Sequence, residues 1–163
     1  MTIQPGQPIV SVPVKKVTEN GVEDATSADI LSTGTVVFFT VPGAFTPTCH
    51  LNHLPGYLAA ADQLREAGVD KIVCGTVNDH HVVKAWAEAT GALGTIEFIA
   101  DGLGKLANAL GLERDLTGGG LGMRFNRASL LIRNGEIEIV NVEGAPGEVT
   151  SSGAPAMLEA LKG

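Results

Sequence analysis

The segment Thr35–Thr40, TVVFFT, constrains this chain more than any other feature: between two threonines, every residue is a large β-branched or aromatic hydrophobe. A strand with one wet face alternates apolar and polar residues, so an unbroken run implies a strand covered on both faces. The residues that follow supply the covering layers. From Cys49 to about Gly68, positions Leu51, Leu54, Leu58, Ala61 and Leu64 recur at helical spacing. Pro55 lies inside this helix and lacks a backbone donor, which predicts a kink or irregular start near Asn52–Pro55, and Gly68 is a suitable stop. KIVCGTV (Lys71 to Val77) reads as a second buried strand, and Asn78 or Asp79 can cap a helix carrying Val82, Val83, Trp86 and Ala87 on one side. IEFIA (Ile96 to Ala100) is a third strand, and Lys105 to Leu112 a short helix. ASLLIR and EIEIVNV flank Asn134-Gly135, a strong signal for a tight hairpin, so the sheet closes antiparallel before a last helix over Met157 to Leu161.

The resulting order, βαβαβαββα with one or two earlier strands, predicts an α/β protein: a thioredoxin-like three-layer sandwich whose central mixed sheet is flanked by helices. At 163 residues the chain reads as a single domain over positions 1–163. A chain of this length buries about 70% of its unfolded surface, so its two cysteines are not needed as staples. The longest run of hydrophobic residues, Tyr57 to Ala61, is far short of the roughly 20 that a membrane span takes. The first ten residues lack the form of a secretory signal, giving a cytoplasmic expectation. A net charge of -7 disfavours nucleic acid or an anionic membrane as partner.

Cys49 is the residue most suited to chemistry, since it sits where a central strand ends, a turn intervenes and a helix begins. Unpaired N–H groups and the helix dipole at such a position favour a thiolate, which is the nucleophilic form. Thr46-Pro47-Thr48-Cys49 has the spacing of a Cys-x-x-Cys motif with threonine in place of the partner thiol. That leaves one sulfur beside a hydroxyl, an arrangement suited to holding a small polar substrate, although Thr46 would serve equally as an N-cap.

PGAFTPTC (Pro42 to Cys49), HLPG (His53 to Gly56), TVNDHHVVKAW, FIADG and GLGMRFNRASLLI together resemble, in order and spacing, the peroxiredoxins, and within them the type II or peroxiredoxin-5 branch. The resemblance implies a thiol-dependent peroxidase reducing hydrogen peroxide and organic hydroperoxides. Cys49 would be its peroxidatic cysteine, becoming a sulfenic acid that thioredoxin, glutaredoxin or glutathione reduces. It implies that Thr46 bonds peroxide and sulfur together, that Pro42 walls the pocket, and that Arg127 supplies the cation beside the thiolate, with Arg124 as rival. His53, four residues after Cys49, would steady the arginine, or else be a buried histidine with a backbone partner. Cys74 is either a core residue or a resolving cysteine, and bridging it to Cys49 would require unwinding after Cys49. The resemblance further implies a homodimer and no cofactor or metal.

Other chemistries fit less well. A redox sensor using oxidation of Cys49 without efficient turnover is the alternative; a disulfide oxidoreductase is disfavoured by Thr46. A metal site from Cys49, His50 and His53 would have His50 on another face and lacks further ligands at metal spacing. The glycines of Gly118 to Gly122 follow neither nucleotide-binding pattern and read as a mobile connection beside the site. His80 and His81 read as surface residues of a helix start, and Trp86 as core.

Overall fold

The structure, a computed structural model, describes residues 2–162. An N-terminal hairpin of β1 (Pro13–Thr18) and β2 (Gly21–Thr26) leads into α1 (Ser27–Leu31). Thr26 caps α1, accepting from the Asp29 N–H while the Asp29 carboxylate accepts from the Thr26 N–H. There follow β3 (Thr35–Val41), α2 (Leu54–Glu66), β4 (Lys71–Thr76), α3 (His80–Thr90), β5 (Glu97–Ala100) and α4 (Lys105–Leu110). A small ribbon of β6 (Glu113–Asp115) and β7 (Met123–Phe125) precedes the hairpin of β8 (Ala128–Arg133) and β9 (Glu136–Val142), and α5 (Ala154–Lys162) ends the fold.

Seven strands form one mixed sheet in the order β2-β1-β5-β4-β3-β8-β9. Strands β3, β4 and β5 are parallel; β1 and β8 join antiparallel on either side. Strand β3 does what its composition predicts. Its Val37, Phe39 and Val41 pack with α2, α3 and α5 on one face, while Val36 and Phe38 pack with α1 and α4 on the other. The three-layer expectation therefore holds, as do the predicted strands and the closing hairpin. The hairpin turns through Asn134 and Gly135, both at positive φ. Helix α1 and the β6–β7 ribbon are additions the sequence did not signal, because both are too short to establish a period. Among the described residues no helix is long and apolar enough to cross a membrane.

The two halves of the site enter from neighbouring strands. Because β3 and β8 run antiparallel, with Thr40 opposite Ala128, the C-terminal end of β3, which leads to Cys49, lies beside the N-terminal end of β8, which begins just after Arg127.

Packing under this end of the sheet is tight. A Cβ added at Gly75 of β4 would lie 2.7 Å from two ring carbons of Phe38, and that ring is fully buried, edge-on to Phe125. Gly75→Ala should cost about 1–3 kcal/mol of unfolding free energy by overpacking. Urea titration checks this, and a loss below about 0.5 kcal/mol would show that the Phe38 ring has room to yield.

Candidate active site

The backbone prepares Cys49 before any side chain acts. After Pro42 the chain turns through Phe45, which holds a positive φ of 63°. The His50 N–H donates to the Thr46 carbonyl (2.9 Å), and Pro47 and Thr48 are already helical. Pro47 thus takes a first-turn position, where no backbone donor is needed. Cys49 follows in the same turn, among N–H groups that lack helical partners. Over Cys49–His53 the helix widens into a π turn, closed by the Leu54 N–H on the Cys49 carbonyl five residues back. Pro55 explains the widening: it has no N–H to give the Leu51 carbonyl, so the regular ladder cannot pass. This is the irregular start the sequence predicts, extended upstream to Cys49 itself. It turns Cys49 and His53 inward, both buried, and leaves Leu51 and Asn52 exposed.

Arg127 lies opposite, 1% exposed. Its guanidinium makes one contact from each nitrogen: Nη2 donates to Cys49 Sγ (3.0 Å), Nη1 to His53 Nδ1 (2.9 Å) and Nε to the Pro146 carbonyl (2.9 Å). Among the described residues no carboxylate forms an ion pair with it. Arg124, the rival, does other work. The chain does not run extended between the two arginines but breaks at Asn126, whose carbonyl accepts from Thr40 Oγ1 (2.7 Å). Arg124 donates to the carbonyls of Pro42 (3.2 Å) and Leu121 (2.8 Å), tying two walls of the site together.

His53 has both nitrogens engaged, since Nε2 lies 2.9 Å from the Ser152 carbonyl. A carbonyl only accepts, so Nε2 carries the proton and Nδ1 offers its lone pair to Arg127. Burial, reinforced by the Arg127 charge, pushes the His53 pKa down to about 4 against the opposing pull of Ser152. His53 thus has both the backbone partner and the contact with Arg127 that the two sequence readings separately expect. His50 faces elsewhere, accepting from Trp86 Nε1 (3.0 Å) and stacking on Phe45. The two histidines therefore diverge, and Trp86 is core with one polar contact.

Thr46 departs from expectation in its direction of bonding. Its hydroxyl donates to the Gly43 carbonyl (2.6 Å), so its only proton is committed and it cannot also donate to the sulfur. Its lone pairs remain to accept from a substrate O–H. A cavity opens between Pro42, Thr46, Leu116, Leu121, Arg127 and Pro146; Cys49 itself is fully buried and meets this cavity through Arg127, whose Nη2 donates to its Sγ. Gly119, from the glycine-rich connection, also reaches its rim. Cys74 lies on β4 and joins the same buried cluster as Cys49, on the α2 side of the sheet; both thiols are free. Burial pushes the Cys74 thiol well up, and the nearby Cys49 adds to this.

Residues 4–158 match the family described as Redoxin. The chain is 48% identical over 126 residues to peroxiredoxin-2C of Oryza sativa subsp. japonica and 45% identical over 126 residues to peroxiredoxin-2D of Arabidopsis thaliana, covering 77% of this chain and 77% of the relative in each case. The chain belongs to the type II peroxiredoxins. A crystal structure of reduced Prx3 in complex with hydrogen peroxide, from Vibrio vulnificus, superposes with a TM-score of 0.91 at 42% identity, over 98% of this chain and 99% of that one. This peroxiredoxin is accordingly a thiol peroxidase with the thioredoxin-like fold.

Sequence reasoning missed the support beneath the site: Tyr57, Glu143, Pro146 and Ser152. Pro146 and Ser152 act through backbone carbonyls, which leave no trace in residue type. Tyr57 enters the sequence reading only as the start of a hydrophobic run, yet its ring stacks on Phe39 and its hydroxyl donates to the Ser152 carbonyl (2.8 Å).

The His53 environment has a measurable consequence. Its folded pKa lies below the ordinary 6.5, so the neutral form is the stabilising one. That stability is complete above about pH 6.5 and is lost as pH falls toward 4. In NMR titrations the His53 ring should not titrate between pH 8 and pH 5.5, with Nδ1 unprotonated throughout. A midpoint near 6.5 would contradict the assigned bonding.

Proposed function

We propose that this peroxiredoxin reduces hydrogen peroxide and organic hydroperoxides through Cys49, with Arg127, Thr46 and Pro42 completing the site. The observation that carries the reading is the 3.0 Å contact of Cys49 Sγ with the Arg127 guanidinium, which also lines the cavity. The Cys49 thiolate attacks the distal oxygen of ROOH, an S–O bond forms and the O–O bond breaks. The leaving alkoxide takes a proton to give ROH, and Cys49 is left as sulfenic acid. Arg127 stabilises the thiolate and the charge spreading onto oxygen, Thr46 accepts from the peroxide O–H, and Pro42 keeps bulk water off the sulfur. The apolar walls Leu116, Leu121 and Pro146 favour substrates carrying an organic group as well as hydrogen peroxide.

Cys74 is the resolving thiol of this reading. Attack by its sulfur on the sulfenic acid forms the disulfide and releases water; a thiol reductant, thioredoxin, glutaredoxin or glutathione, then returns both sulfurs to the reduced state. Burial holds the Cys74 proton on sulfur, and that proton leaves with the released water; unwinding of the π turn carries Cys49 toward β4, within the reach a disulfide needs. The reading includes a homodimer formed near the active-site turn, supported by the exposure there of Phe45 (49%) and Leu51 (74%). Sedimentation of the wild type as a monomer would remove that part.

The test is the intact mass of fully reduced protein, quenched within seconds of one equivalent of hydrogen peroxide. The wild type should lose two hydrogens, Cys74→Ser should gain one oxygen, and Cys49→Ser should not change. One added oxygen in the wild type would return Cys74 to a core role and leave reduction to an external thiol. An unchanged wild type would overturn the assignment of Cys49.

A further inference from the structure

The peroxide chemistry leaves two buried carboxylates unused among the described residues: Asp101, which accepts from the Leu106 and Ala107 N–H groups of α4, and Glu143. Glu143, 3% exposed, directly follows β9, and its backbone N–H donates to the Arg127 carbonyl (2.9 Å). Its side chain gathers four hydrogen bonds from two residues. Oε2 accepts from the Thr150 N–H (2.6 Å), the Ser152 N–H (2.8 Å) and Ser152 Oγ (2.6 Å), and Oε1 accepts from Thr150 Oγ1 (2.6 Å). Burial alone would raise this carboxyl, but the bonds from Ser152 and Thr150 outweigh it and hold it at about 2, so Glu143 is an ionised acceptor at any ordinary pH.

These bonds hold the Ser152 carbonyl, onto which both His53 Nε2 and the Tyr57 hydroxyl converge. Burial pushes the Tyr57 pKa upward, so the phenol stays protonated and donates. A carbonyl fixed in this place makes His53 keep its proton on Nε2, which frees Nδ1 for Arg127 Nη1. The same segment supplies the Pro146 carbonyl for Arg127 Nε. A guanidinium is planar and rigid. Once Nε and Nη1 are held, the direction in which Nη2 points, at Cys49 Sγ, is fixed as well. Two of the three contacts that orient Arg127 therefore run through residues 143–152, and Glu143 is the knot that closes that segment.

We propose that Glu143 is a positioning residue for the peroxidase reaction: by tying Thr150 and Ser152 it sets the His53 tautomer and, through His53, aims Arg127 at Cys49. The proposal rests on the reading of Cys49 and Arg127 given above. A residue that merely anchored the loop would change stability and leave the reactivity of folded molecules untouched, which separates the two roles.

The experiment compares wild type, Glu143→Ala and Glu143→Gln in two measurements. One is the single-turnover rate with hydrogen peroxide, read by quenched mass and needing no reductant; the other is the 15N spectrum of the His53 ring. Glu143→Ala should react about tenfold more slowly, the scale of one lost charged hydrogen bond, and its two ring nitrogens should move toward averaged shifts. Glu143→Gln keeps an acceptor oxygen for Ser152 and can turn its amide to Thr150 Oγ1, so it should stay within about threefold of wild type. A folded Glu143→Ala with wild-type rate and wild-type His53 shifts overturns the proposal, as does a Glu143→Gln no faster than Glu143→Ala. If Glu143→Ala does not fold, the double variant Thr150→Val with Ser152→Ala removes the two hydroxyl donors alone. It should lose about threefold in rate and shift the His53 signals in the same direction; no change in either overturns the proposal. Peroxide consumption by Cys49→Ser would defeat the reading of Cys49, whereas the His53 spectrum reports on positioning without any turnover.

Discussion

A guanidinium almost wholly removed from water, with a sulfur as one of its three partners, is the interaction on which the rest of this structure depends. Burying a charge costs several kcal/mol unless hydrogen bonds replace its hydration. Here the Pro146 carbonyl, His53 Nδ1 and Cys49 Sγ take that place, one for each nitrogen of Arg127. No carboxylate pairs with the guanidinium among the described residues, so a thiolate at Cys49 becomes its direct counter-charge. A carboxylate in contact would share the field of the arginine and weaken its hold on sulfur. The nearest acidic group in this network, Glu143, instead acts two links away, through Ser152 and His53.

The fold makes that contact with short reaches. Antiparallel pairing of β3 with β8 brings the end of one strand beside the start of the other, and the helical turn after β3 swings Cys49 back over the sheet. The π turn then points Cys49 and His53 to the same inner side, so one element presents the nucleophile and the base that orients its cation. The cost of that geometry is a widened turn with a proline behind it, a weak place in the helix. In the proposed cycle that weak place is where the turn would open for Cys49 to reach Cys74.

How much of this was legible in the sequence follows the kind of force involved. Strands β3, β4, β5, β8 and β9 could be read because burial on a sheet face demands β-branched and aromatic residues, and Asn134-Gly135 because only such residues tolerate that turn. Cys49 and Thr46 were legible from their spacing at the end of a buried strand, and Pro42 and Arg127 through the family resemblance; the structure sets Pro42, Thr46 and Arg127 around one cavity and joins Arg127 to Cys49. The bonding direction of Thr46 was not, because a hydroxyl can donate or accept and only the position of the Gly43 carbonyl decides. The division of work between Arg124 and Arg127 depends on a break at Asn126 that residue type does not announce. Glu143, Pro146 and Ser152 were hidden because their contribution lies in where a loop folds back, a tertiary fact carried mainly by backbone groups.

The account stands or falls on whether the Arg127 fork makes Cys49 reactive, and the direct measurement is the second-order rate of Cys49 oxidation by hydrogen peroxide in folded Arg127→Gln beside wild type. Removing a preorganised cationic donor from a developing oxyanion should slow the reaction by about a hundredfold or more. A variant that folds normally and reacts within about twofold of wild type would contradict the account, since the 3.0 Å contact would then be packing and the source of reactivity would lie elsewhere.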